Sequence, residues 1–252
     1  MAVNQEPRQM TSKDYYDRGM SLYDIGKLED ALAAFSNAVD LSPENVEAWF
    51  EKGFVHTKLS QPAEAIASFD RVIAREPLDA EAWQKKGEAL FALGDARAAL
   101  SCFDRILCDI FPKESEIILK SEAANDRQHE KVIKTEKPEE KLCIAVLRCK
   151  ADALSTTDRH HEAALLFERL ACRNPRDAEL SFRRAEELEK AGMPADALAV
   201  YKSMSAGSAL GLSGHEMRIK TASQRLEEIL NPRTNIFQKL VTTVKGLFGA
   251  EE

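Results

Sequence analysis

Tyr15, Trp49 and Trp83 stand 34 residues apart, and three further columns keep that interval: Gly19, Gly53 and Gly87; Ala31, Ala65 and Ala99; Phe35, Phe69 and Phe103. Pro43 and Pro77 continue the register, which next falls on Phe111, with Pro112 one place late. A chain that repeats in this way is one small unit copied and stacked, because a single unit cannot bury its own apolar face. The blocks YYDRGMSLYDIGKLEDALAAFSNAVDLSP, WFEKGFVHTKLSQPAEAIASFDRVIAREP and WQKKGEALFALGDARAALSCFDRILCDIFP each read as two short amphipathic helices. Their apolar spacing is near the helical period, and IGKLED, LSQPAE or LGDARA turns the chain between them. The Gly and Ala columns are expected where two helices cross closely, and the aromatic columns in the space between neighbouring repeats. Pro43 and Pro77 are expected to end one helix pair and set up the next.

The second half keeps the interval more loosely. Ala151 and Ala185, Leu154 and Leu188, Ala163 and Ala197, and Phe167 and Tyr201 are each 34 apart, and Pro175 closes the first of these units. Ala stands here where Gly stood, and the leading aromatic becomes Leu147 and Ser181. Between the halves the register breaks from Glu114 to Cys143. A degenerate repeat, a connecting helix or a solvated linker all fit that stretch, with Pro138 placed to start the next helix. Ser213 and Glu216 form a capping box, predicting a helix from about Gly214 to Leu230, ended by Asn231-Pro232. The final segment sets Ile236, Phe237, Leu240, Val241, Val244, Leu247 and Phe248 on one stripe of an amphipathic helix. The expected organisation is a disordered 1–11, repeats one to three over 12–113, a connecting region 114–143, repeats four and five over 144–211, a capping helix 212–230 and a C-terminal amphipathic helix 233–252. Individual repeats are expected near 12–45, 46–79, 80–113, 144–177 and 178–211.

An aromatic, a Gly four residues on, an Ala sixteen on, an aromatic twenty on and a closing Pro resemble the tetratricopeptide repeat family. The resemblance implies an all-α, right-handed superhelix, an α-solenoid of stacked antiparallel helix pairs. It also implies a non-catalytic scaffold that holds a partner peptide or helix in a concave groove lined by the first helix of each repeat. The matching inward positions are Tyr16, Asp17, Met20, Tyr23 and Asp24; Glu47, Phe50, Glu51, Phe54 and Lys58; and Glu81, Gln84, Lys85, Glu88 and Phe91. The groove is therefore expected to be aromatic with an acidic rim, and its partner to be a protein or peptide of basic and apolar character. Family members that bind the acidic tails of heat-shock chaperones use a clamp of Lys, Asn and Arg. The matching positions here are Tyr16, Met20, Glu51, Glu81 and Lys85, of which one is basic and two are carboxylates. That clamp is absent, and chaperone tails are excluded as partners.

Composition narrows the rest. The formal charge is −7 and the sequence pI about 5.5, a poor match to nucleic-acid backbones, which need a basic face. The five cysteines are odd in number and form no CxxC pair, which suggests reduced thiols rather than disulfides or zinc. No apolar run approaches the ~18 residues that would mark a spanning helix, and MAVNQEPRQMTSKD has no secretory hydrophobic stretch. A cytoplasmic location follows as an expectation. His160 and His161 are adjacent, so on a helix they diverge by about 100° and cannot share a metal; solvated loop histidines are expected there. The Asp and Glu residues read as surface partners on helices rather than a paired site. No nucleophile elbow, phosphate loop or dinucleotide fingerprint is present, so no enzyme, metal or cofactor is expected. The alternative function is a membrane-surface or self-regulated adaptor working through the C-terminal helix.

Overall fold

In the computed structural model, described residues are 9–120, 137–175, 177–206 and 216–230. The described structure is helical: α1 (Ser12–Asp24), α2 (Leu28–Leu41), α3 (Val46–Lys58), α4 (Pro62–Arg75), α5 (Ala80–Ala92), α6 (Ala96–Arg105), a π-helical turn (Ile106–Ile110), α7 (Pro112–Lys120), α8 (Pro138–Thr156), α9 (His160–Arg173), α10 (Ala178–Lys190), α11 (Pro194–Ala206) and α12 (Glu216–Leu230). No strand occurs among the described residues. The helices pack as antiparallel pairs, as in an α-solenoid, in two compact units: among the described residues, 9–116 with 137–153 form the first, and 117–120 with those from 154 to 230 the second.

In the first unit α1 packs on α2, α3 on α4 and α5 on α6, and the pairs stack through α2 on α3 and α4 on α5. Helix starts follow the repeat. Thr11, Asn45 and Asp79, spaced 34 apart, cap α1, α3 and α5 by accepting the N–H of Asp14, Ala48 and Ala82 at 3.2, 2.9 and 3.0 Å. Within each pair the packing turns on the glycine column. A Cβ at Gly19, Gly53 or Gly87 would lie 2.6, 2.9 or 2.5 Å from the ring of Phe35, Phe69 or Phe103. These rings are fully buried. The phenylalanine column therefore fills its own pair, and it also reaches the next one, Phe35 clustering with Val55 and Phe69 with Ala89. The tryptophan column bridges pairs as well: Trp49 packs with Ala38 and Val39 of α2, and its Nε1–H donates to the Pro43 carbonyl at 3.0 Å. Trp83 repeats the bond to Pro77 at 2.9 Å. Both prolines sit in the connectors, outside the helices.

The late Pro112 has a structural cause. The π turn at Ile106–Ile110 follows α6, and the Phe111 N–H closes back on the Ile106 carbonyl at 2.8 Å. A π turn takes in one residue more than an α-helical one, so the second helix ends at Ile110 where the register of Leu41 and Arg75 gives Asp109, and Pro112 follows one place late as the first residue of α7. Helix α8 then begins at Pro138, ahead of the expected start of repeat four at Ile144. Its Cys143, Val146 and Leu147 are buried, and Lys150 Nζ pairs with Asp104 at 2.5 Å.

In the second unit α9 packs on α10, α10 on α11 and α11 on α12. Their core includes Phe182, Leu188, Ala197, Tyr201, Ile219 and Leu226. The histidine expectation is corrected here: His160 and His161 lie in the first turn of α9, not in a loop. His161 is exposed, but His160 reaches inward to Glu187.

Candidate functional site

The first helices of the first unit, α1, α3 and α5, bring most of the expected groove residues together. The Tyr16 and Phe35 rings are 5.9 Å apart, Tyr23 and Phe54 are also 5.9 Å apart, and Phe50 meets Phe69 edge to face at 5.6 Å. Each of Tyr16, Met20, Tyr23, Phe50, Phe54 and Phe91 is half-buried: part of the side chain packs inward and part remains open. Tyr16, Met20 and Tyr23 border the cluster of Ala31, Phe35 and Val55, and Phe50 borders Ala65, Phe69 and Ala89. Phe54 links three helices, since Tyr23 of α1 touches it and Lys58 and Lys85 stand over its ring at 5.2 and 5.9 Å.

The charged positions behave differently from one another. Glu88 is half-buried and already paired, accepting from Lys85 Nζ at 2.9 Å and from Gln84 Nε2 at 2.7 Å. Gln84, an expected groove residue, is itself buried. Glu47 and Glu81 are exposed, whereas Glu51 is half-buried. Burial, and then the charge of Glu81, raise the Glu51 carboxyl above its ordinary value. Burial likewise raises the Tyr16 phenol, with further contributions from Glu51, Glu47 and Asp17. These groups therefore share one negative field.

A second polar centre, in the second unit, escaped the sequence reading. Glu187 of α10 is 1% exposed. Its carboxylate accepts from Ser155 Oγ of α8 at 2.8 Å and from Lys190 Nζ at 2.6 Å, and meets His160 Nδ1 of α9 at 2.9 Å. Burial alone raises a carboxyl, but the bonds from Lys190, His160 and Ser155 together outweigh it and hold Glu187 below the usual carboxylate value. The expectation that acidic residues stay on helix surfaces fails at this position. The signal was present: counted by the repeat, Glu187 occupies the column of Ser21, Val55, Ala89 and Ala153, of which Ser21 is exposed and the other three are buried. The same unit carries an open cleft of about 510 Å³ lined by Phe182, Tyr201, Arg218 and Arg225. Its arginines are engaged, Arg218 with Glu186 at 3.1 Å and Arg225 with Glu189.

Among the described residues no group of three or more His, Cys, Asp or Glu could hold a metal, and no helix is long and apolar enough to cross a membrane. The five cysteines are free. Burial is the main cause that raises the thiols of Cys102 and Cys172, and it pushes those of Cys143 and Cys149 up to about 11. Such thiols are poor nucleophiles at neutral pH. Ser213 of the expected capping box and the stripe from Ile236 to Phe248 lie outside the described residues.

Comparison with known proteins agrees with the repeat fold. A TPR repeat model matches residues 19–60, and a tetratricopeptide repeat model matches residues 55–115 and 150–209. No curated sequence matches significantly. Among solved structures, the crystal structure of MamA protein is similar at TM-score 0.61 and 17% identity, over 80% of this chain and 97% of that one. MamA 41-end from Desulfovibrio magneticus RS-1 gives 0.60 and 12%, over 78% and 94%. The crystal structure of YrrB, described as a TPR protein with an unusual peptide-binding site, gives 0.57 and 16%, over 76% and 83%.

Proposed function

This chain belongs to the tetratricopeptide repeat family of non-catalytic interaction scaffolds, and from that premise we propose that α1, α3 and α5 form its partner-binding groove. The observation that carries the proposal is the run of half-buried aromatic side chains, Tyr16, Tyr23, Phe50 and Phe54, on the first helices of successive pairs. A large apolar surface left partly open at repeated positions is where a partner side chain gains most by burial. Met20, Lys85 and Phe91 extend that surface along the helices, with Glu47, Glu51, Glu81 and Glu88 at its edges. The partner is a peptide or helical segment of another protein, held as helix-in-groove or extended chain. The peptide-binding site named for the similar YrrB supports this class of ligand. Five free cysteines, four of them with raised thiols, suit a reducing compartment such as the cytoplasm.

Selection of a displayed random dodecapeptide library tests the proposal. Peptides selected on the intact protein are expected to lose most of their binding to the Phe50→Ala/Phe54→Ala variant and to retain it on an Arg218→Ala variant of the second unit. Peptides that bind both variants equally, or a selection that yields none, would place the binding surface elsewhere.

A further inference from the structure

The carboxylates of the first unit are not treated alike. Glu88, half-buried on α5, has Lys85 at 2.9 Å. In the second unit the half-buried Glu168, Glu186 and Glu189 are paired with Arg184, Arg218 and Arg225. Glu51 is as enclosed as these, yet no described residue forms an ion pair with it, nor with Glu47 or Glu81 beside it. Each lysine of α3 and α5 is engaged elsewhere: Lys85 with Glu88, Lys86 with Asp70, Lys52 over the Trp49 ring and Lys58 over that of Phe54. The open aromatic surface at Tyr16 and Phe50 is thus bordered by anions that the protein leaves unmatched.

Taking the groove assignment above as its basis, we propose that the first unit selects a cationic amphipathic segment. An apolar side chain of the partner packs on Tyr16 and Phe50, and a neighbouring Lys or Arg is received by Glu51 and Glu81. A half-enclosed carboxylate facing a like charge is unfavourable until a cation joins it. An incoming ammonium or guanidinium removes that repulsion, forms charge-assisted hydrogen bonds and can lie against an aromatic face. A neutral segment leaves the carboxylates desolvated and unpaired, and an anionic one adds a third like charge. Discrimination therefore comes as much from what the site repels as from what it attracts. The pattern also divides the surface, with the partner's cation directed to the Glu51 side and not to Phe54, where Lys58 and Lys85 already stand.

The test uses three fluorescent dodecapeptides of matched leucine pattern whose polar positions are all Lys, all Gln or all Glu. Fluorescence anisotropy reads their binding to the full chain, to Glu47→Gln/Glu51→Gln/Glu81→Gln, to Phe50→Ala/Phe54→Ala, and to a surface-charge control, Glu29→Gln/Asp30→Gln, on the exposed start of α2. Circular dichroism verifies that each variant is folded. The Lys peptide is expected to bind at least tenfold tighter than the Gln peptide, the Glu peptide not to bind, and the triple Gln variant alone among the charge variants to remove the difference. Equal binding of Lys and Gln peptides, or an equal loss in the α2 control, overturns the cationic preference while leaving the groove intact. Lys-peptide binding that is unchanged in Phe50→Ala/Phe54→Ala overturns the groove assignment itself.

Discussion

Gly53 and Phe69 are built as one contact: a Cβ on the glycine would sit 2.9 Å from the edge of the phenylalanine ring. The ring is fully buried, so it cannot swing away, and α3 and α4 approach as closely as they do because position 53 has no side chain. In the second unit the same column holds Ala185, which has a side chain and packs in one cluster with the buried Tyr201.

Gly53→Ala should therefore destabilise the first unit despite the better helix propensity of alanine. The gain from propensity is at most about 1 kcal/mol. Overpacking a closed site costs about 1–3 kcal/mol. A lower urea midpoint is expected, and Phe69→Leu in the Gly53→Ala background should cost less than in the wild type. Additive effects of the two substitutions would show that the contact is not shared.

The turn within each pair repeats a conformation rather than a residue. Gly26, Ser60, Gly94, Asp158 and Gly192 occupy one column, and all have positive φ, at 75, 57, 93, 58 and 76°. Ser60 and Asp158 hold a left-handed conformation that costs a residue with a Cβ about 1 kcal/mol or more. Ser60→Gly should raise stability by up to about 1 kcal/mol, offset in part by the entropy of glycine in the unfolded chain. Gly94→Ala should lower it. Thermal unfolding of the two variants, followed at 222 nm, is expected to move in opposite directions.

These cases show what the sequence makes legible. The glycine and phenylalanine columns are visible because close packing admits few residue types, so geometry and identity repeat together. The left-handed turn is hidden because Gly, Ser and Asp all satisfy it. The one-place delay of Pro112 is visible, but only the π turn at Ile106–Ile110 explains it. Expected groove positions such as Tyr23 and Phe54 do meet, since the register places them on adjacent first helices. Gln84 and Glu88 differ from expectation because they bond to each other, a local choice that periodicity does not encode. Glu187 is hidden because a carboxylate reads as a surface residue, although Val55, Ala89 and Ala153 of its column are buried.

Cysteine chemistry should follow enclosure. Cys108, in the π turn, is exposed, whereas Cys102 and Cys143 are buried and Cys149 and Cys172 half-buried, all four with raised thiols. Iodoacetamide at pH 7.5 is expected to label Cys108 first and Cys143 last, as read by peptide mass spectrometry. Early labelling of Cys143 in the folded protein would contradict the packing of α8.

The polar centre at Glu187 gives the second unit a dependence on pH whose sign can be derived. Its carboxyl is held below the usual value in the folded protein, whereas in the unfolded chain it titrates at about 4.3. A group with a depressed folded value adds stability that is present above its unfolded value and is lost as pH falls through the folded one. The loss should thus begin below about pH 4.3 and continue downward. Glu187→Gln keeps the shape but removes the charge that Lys190 and His160 face, and leaves those donors with a weaker acceptor. At pH 7 the variant should be less stable by about 1–3 kcal/mol, the usual cost of an impaired buried hydrogen-bond set. As pH falls from 5 to 3 the wild type should approach the variant, since protonation removes the same charge. The check is urea unfolding of both proteins across that range, with the Glu29→Gln/Asp30→Gln variant as a surface-charge control. A difference between wild type and Glu187→Gln that stays constant with pH would show that the carboxylate is not the group responsible.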